Sequence, residues 1–212
     1  MRARTLACAL AAGHALRRPL IVFGRPGAGK TTIADALLRE APWCARSVAT
    51  RPSEPRCPQA SIIQATPSRR RCAGCDLDVC VPQWMRDNFS KGVYPTLEQR
   101  QVFAGEAASY VEEALASAAS APLVVSFSFV NDDLRDVFRA RFPDAHWALV
   151  DTAEADAVER ILAREGHFYE VDDERGDEWK FAPVAFGHLR LDGRRPIAEN
   201  VAELLPLVAE KT

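Results

Sequence analysis

The 212 residues contain no uninterrupted apolar run of 18 or more. No segment is therefore suited to cross a bilayer as a helix. Cysteine is scarce, at six residues, too few for a disulfide scaffold. Acid is absent from residues 1–18, which carry four arginines, and residues 42–75 hold six arginines against Glu54 alone. Net charge by itself is almost missing, at -2. With the two basic segments set aside, residues 19–41 and 76–212 together carry -11. Near-neutrality is thus an average over segments of opposite character. There is no internal repeat. What is present in quantity is apolar residue, 48% of the chain. That excludes wholesale disorder and suits one ordinary domain with additions.

The acid-free start, rich in Arg and Ala, is compatible with an organelle transit peptide or with an N-terminal helix that carries no address. A cytoplasmic protein is the expectation, with an organelle as the alternative. Residues 1–18 are read as a basic extension to a domain over 19–212.

That domain opens on a short apolar run, Pro19 to Phe23, followed at once by Gly24-Arg25-Pro26-Gly27-Ala28-Gly29-Lys30-Thr31. Every fixed position of G-x-x-x-x-G-K-[ST] is met, with a strand pattern before it and a helical stripe (Ile33, Leu37, Leu38) after it. Glycines let backbone N–H groups converge on phosphate oxygens. The helix N-terminus adds partial positive charge. Lys30 is placed to reach the β- and γ-phosphates and the Thr31 hydroxyl to ligate Mg²⁺. Gly24 through Thr32 are therefore expected to cradle a nucleotide.

Residues 42–75 lack both helical and strand periodicity and are read as a disordered insert. Cys72-Ala73-Gly74-Cys75 is a CxxC, with Cys80 nearby. A zinc site would need a second close pair, so incidental thiols are expected. The arginines have no interleaved aromatic residue for base stacking, and nucleic acid is not expected as a partner.

Beyond residue 75 strands and helices alternate. Strands are expected at Leu77 with Val79 to Val81, at Leu123 to Phe129, His146 to Val150 and Leu189 to Leu191. Helices are expected at Leu97 to Ala119, Asp132 to Ala140, Ala153 to Arg164 and Pro196 to Glu210. The fold class is α/β, a mainly parallel five-stranded sheet with helices on both faces. Residues 165–187, with six acids in 170–178, break the pattern and are read as a mobile lid.

Further motifs carry a resemblance. They are Asp76-Leu77-Asp78, the turn Gly92 to Arg100, the segment Ser128 to Asp136, Glu159 to Phe168 (ERILAREGHF), and Leu191-Asp192-Gly193. Together with the phosphate loop they resemble the gluconokinase/shikimate kinase branch of the P-loop kinases. The resemblance implies a P-loop NTPase fold, ATP and Mg²⁺, and phosphoryl transfer to a hydroxyl of a small polar, anionic, sugar-acid-like metabolite. It implies that Asp76 serves the Mg²⁺ shell and that Asp78 orients the acceptor hydroxyl. Arg135 would face an anionic acceptor, and Arg160 and Arg164 would stabilise charge on the transferring group. Catalysis would then rest on Lys30, Asp78 and Arg164. Two departures stand out: Asn131 occupies the position of a family lysine, and Val81 that of a family histidine. Asp151, at the end of an apolar strand, is the lesser metal candidate. A homodimer is left open. The alternative is a nucleotide-binding module or ATPase without small-molecule kinase activity, the insert having displaced the D-x-D strand.

Overall fold

The computed structural model describes residues 18–40, 73–118, 122–163 and 179–209. The basic start (residues 1–17), nearly all of the Pro/Arg/Cys segment, Arg164 and the acidic run lie outside them.

The chain runs β1 (Leu20–Phe23), α1 (Lys30–Glu40), β2 (Ala73–Asp76), a 3-10 turn (Leu77–Cys80), α2 (Gln83–Phe89) and α3 (Leu97–Ser117). It continues through β3 (Leu123–Phe127), α4 (Asp132–Arg141), β4 (His146–Asp151), α5 (Glu154–Leu162), β5 (Leu189–Asp192) and α6 (Ile197–Ala209). The five strands form one all-parallel sheet in the order β2-β3-β1-β4-β5. Parallel neighbours need crossovers, and the helices between the strands supply them on both faces.

The central strand shows why the sheet must be covered twice. Successive side chains of a strand point to opposite faces. Ile21 and Phe23 enter a core with Val125, Phe103, Val111, Phe138 and Trp147, under α3 and α4. Leu20 and Val22 enter a second core with Val124, Ile33, Leu37, Leu191, Val201 and Leu204, under α1 and α6. A fully buried strand therefore reads as unbroken apolar sequence rather than as an alternation.

Several expectations shift. The second strand is Ala73–Asp76, and Leu77–Cys80 turns into a 3-10 helix because the Asp76 carboxylate accepts from the Asp78 amide at 3.1 Å and caps that turn. The insert therefore ends before residue 73, and Cys75 belongs to the core. The strand expected to Phe129 stops at Phe127. Helix α2 was not foreseen. In α5 the buried residues are Ala157 and Ile161, while Leu162 is 73% exposed.

The C-terminal part of the expected lid also differs. Residues 179–187 lie against the domain: Ala182 N–H donates to the Val130 carbonyl at 2.9 Å. Phe181 and Phe186 lie against Phe23, with ring centroids 6.4 and 6.0 Å away. These two aromatic contacts and the backbone bond hold the segment against the domain, where the neighbouring polar sequence suggested a mobile excursion.

Candidate active site

β1 delivers the chain to the phosphate loop at the carboxyl edge of the sheet, where ligands bind in open α/β folds. The loop turns on an Ala28 N–H bond to the Arg25 carbonyl, 3.1 Å, and α1 takes over at once, with Ile33 N–H donating to the Gly29 carbonyl at 3.0 Å. Gly27 has φ +77, and a Cβ there would drive into the Ala157 carbonyl. Only glycine fits both restraints. The loop is held from outside. The Ala28 carbonyl accepts from Thr152 Oγ1 and from Arg160 Nη1, both at 3.2 Å. Arg160 Nη2 donates to the Gly193 carbonyl at 2.9 Å. Gly193 packs so closely on Thr152 that a side chain at 193 has no room. Thr152 is buried and escaped the sequence reading, because a lone threonine after a strand carries no signal of its own.

Lys30 Nζ donates to the Arg25 carbonyl at 3.0 Å and so lies across the loop. Thr31 Oγ1 donates to Asp76 Oδ2 at 3.4 Å. The hydroxyl and the carboxylate, 45 residues apart in sequence, are two hard oxygen donors beside the phosphate loop. That donor set suits Mg²⁺, which takes one or two protein oxygens and completes its shell with water and phosphate. Asp151, the other metal candidate, is bound instead by Arg190 at 2.7 Å.

A cavity of about 380 Å³ starts at this loop. Of the residues expected to hold nucleotide, Pro26, Gly27, Gly29, Lys30, Thr31, Thr32 and Arg160 line it. Gly24 and Ala28 shape the loop from behind: Ala28 is buried in the core, and Gly24 has φ +153. Arg25 turns to Glu154, 3.2 Å away. The cavity then continues past Asp78 to a hollow bounded by α2, α3 and the end of β3. Asp78 lines the cavity where the two halves meet, and Asp76 lies beside it, accepting from the Asp78 amide.

Arg135 does not face this cavity. It is completely buried, and its five N–H donors are all engaged. Nε bonds the Phe129 carbonyl, 2.8 Å, and Nη2 the Val130 and Ala182 carbonyls, 3.2 and 2.8 Å. Nη1 bonds Asp132 and the Pro183 carbonyl, 2.8 and 3.0 Å. Burial pushes its pKa down, against the pull of Asp132. The expectation that it meets an anionic acceptor is corrected: a guanidinium with every donor committed has none left for substrate. It braces instead the turn after β3, where Phe129 sits at φ +45, a strained backbone for a bulky residue. Asn131 accepts from the Tyr94 hydroxyl, tying that turn to the segment before α3.

The two described thiols are held in the protonated, poorly nucleophilic form. Cys75 is buried and Cys80 half-buried, and both are free. Burial pushes them up to about 12 and about 11 respectively, each with Asp76 adding to the effect. Among the described residues no cluster of three or more His, Cys, Asp or Glu could hold a metal. Cys72 and Arg164 lie outside those residues. Among the described residues no helix is long and apolar enough to cross a membrane.

No protein-family model matches the sequence, nor does any curated protein at sequence level. Solved structures do match in shape. A sugar kinase from Janibacter sp. HTCC2649 superposes with a TM-score of 0.66 at 19% identity, covering 91% of this chain and 96% of that one. The fold is that of the P-loop kinases. A gluconokinase from Sinorhizobium meliloti 1021 matches with a TM-score of 0.54 at 21% identity, over 92% of this chain and 93% of that one. The APS kinase of Mycobacterium tuberculosis, solved with AMPPNP and APS, matches with 0.56 at 17%, over 92% and 99%. Within the P-loop kinase fold, the described β2 holds its place beside β3. The D-x-D turn thus follows a strand that is paired with β3 along its whole length.

Proposed function

We propose that the protein transfers the γ-phosphoryl group of ATP to a hydroxyl of a small-molecule acceptor. The observation that carries this reading is the continuity of the cavity: Lys30, Thr31 and Arg160 line one end, Asp78 the middle, and a separate hollow the other. A nucleotide-binding module needs only the first end.

The roles follow from position. Backbone N–H groups of the loop and the N-terminus of α1 receive phosphate oxygens. Lys30 leaves the Arg25 carbonyl for the β/γ-phosphates. Arg160, anchored on the loop through Ala28, sits beside Gly29, its Nη1 about 3.7 Å from where a Cβ would lie. It is poised to neutralise charge on the moving group. Thr31 and Asp76 would hold Mg²⁺, which supplies charge neutralisation at the phosphates. Asp78 orients the acceptor hydroxyl and takes its proton. Such transfers depend on positioning and charge neutralisation far more than on covalent chemistry.

The test is a pair of variants. Lys30→Ala abolishes ATP turnover, and Asp78→Asn keeps nucleotide binding while losing transfer. Full ATP-dependent activity in Lys30→Ala overturns the proposal.

A further inference from the structure

The acceptor half of the cavity is apolar. Val81 comes from the end of the 3-10 turn, Met85 from α2, Phe103 from α3, Phe127 from the end of β3 and Leu134 from α4. Phe89 and Tyr94 stand together at the other side, ring centroids 6.2 Å apart, backed by Trp179 at 5.6 and 4.8 Å. Phe103 and Phe127 form a second aromatic surface, 5.5 Å apart, continued by Phe129 at 5.2 Å from Phe127.

The positive charge that Arg100 brings to this half is balanced by Asp133. Arg100 lines it, but its Nε is paired with Asp133 at 2.8 Å and its Nη1 with the Pro95 carbonyl at 2.7 Å. Both partners of that ion pair are largely buried. Arg135 faces away, as described. Lys30 and Arg160 belong to the phosphate end. With Asp78 added, the described acceptor wall has no surplus positive charge. A polyhydroxy acid would bring a carboxylate and several hydroxyls to a surface with few partners, and each unpaired polar group would oppose binding. An apolar ring would gain from the same surface by burial and by stacking.

We propose that the acceptor is a hydroxyl compound with an uncharged, ring-containing apolar body, held between the Phe89/Tyr94 and Phe103/Phe127 surfaces with its hydroxyl at Asp78. This rests on the phosphotransfer reading above and narrows it. The transfer balances simply. The acceptor oxygen forms a bond to the γ-phosphorus, the bond from that phosphorus to the β,γ-bridging oxygen breaks, ADP leaves with the electron pair, and the hydroxyl proton passes to Asp78.

The experiment is ATP-dependent product formation by the full chain, comparing gluconate and shikimate with benzyl alcohol, 2-phenylethanol and cyclohexylmethanol, beside calorimetric titration of ATP alone. The expected result is a kcat/KM for at least one ring alcohol about tenfold or more above either acid. Phe89→Ser should raise the KM for that alcohol about tenfold, a range typical of lost apolar contacts. The ATP affinity should stay unchanged, and Phe89→Tyr should restore the KM together with any melting temperature lost with the ring. A preference for gluconate or shikimate overturns this inference and leaves the phosphotransfer reading standing. So does a Phe89→Ser variant that melts normally with an unaltered KM. Failure of any compound to be phosphorylated while ATP binds overturns both.

Discussion

Thr31 and Asp76 meet across the base of the phosphate loop, hydroxyl to carboxylate at 3.4 Å. This bond joins the N-terminal end of α1 to the carboxyl end of β2, and so joins nucleotide binding to the D-x-D turn. Thr31→Val removes one of the two oxygens proposed to hold Mg²⁺ and leaves the shape nearly unchanged. We expect kcat to fall about 100-fold or more, in line with the loss of one charge-stabilising group. The apparent Mg²⁺ requirement should rise while the melting temperature moves by no more than a few degrees. Steady-state kinetics across a magnesium series measures it.

Gly27 offers a test of the loop's shape. At φ +77 and against the Ala157 carbonyl, it leaves no place for a side chain. Gly27→Ala should weaken ATP binding and lower stability by more than about 1 kcal/mol, since strained substitutions of this kind cost more than that. Calorimetric titration with ATP and denaturant unfolding read the two effects.

Arg135 is a structural tie. Arg135→Met strands the Phe129, Ala182 and Pro183 carbonyls, leaves Val130 with its bond from the Ala182 N–H alone, and frees the strained turn at Phe129. We expect a loss of about 3 kcal/mol or more, the range for breaking a buried network. Arg135→Lys, which cannot reproduce the fork, should recover little of it. Urea unfolding measures both. An anion-binding role would instead predict normal stability and a raised acceptor KM.

The thiols set a slope at alkaline pH. Cys75 and Cys80 are raised from an ordinary value of 9.0 to about 12 and about 11. Between pH 9 and 11 the unfolded chain releases these protons while the folded protein keeps them. The unfolded state then binds fewer protons, so stability falls as pH rises through that window. Cys80→Ala should flatten part of this slope, measured as unfolding free energy from pH 8 to 11.

The sequence made the sheet legible because its strands are buried on both faces and read as unbroken apolar runs. Leu20–Phe23 and His146–Asp151 are found within a residue of their expected places. Strand β2 was missed by four residues because Ala73-Gly74-Cys75-Asp76 has no apolar run. Its strand character comes from pairing with Leu123–Ser126 alone. The turn of the glycine-rich loop into α1 was legible, since its glycines answer a local geometric demand, but not that Arg25 turns to Glu154 and Ala28 into the core. Arg135 was misread for the opposite reason. Its position in Leu134-Arg135-Asp136 fits a substrate contact equally well, and only the packing of residues 179–187 decides which way the guanidinium turns. Thr152 gave no signal and Gly193 only one as part of the Leu191-Asp192-Gly193 motif, because their fit to Ala28 and to each other is purely tertiary.

The most direct test of the account follows the label from [γ-³²P]ATP in the presence of a panel of hydroxyl acceptors, with the native chain and Asp78→Asn side by side. The account predicts acceptor-dependent transfer of label to an organic product by the native chain. It predicts none by Asp78→Asn, although ATP still binds to that variant. Label released only as inorganic phosphate, at a rate indifferent to acceptor and to Asp78, would contradict it.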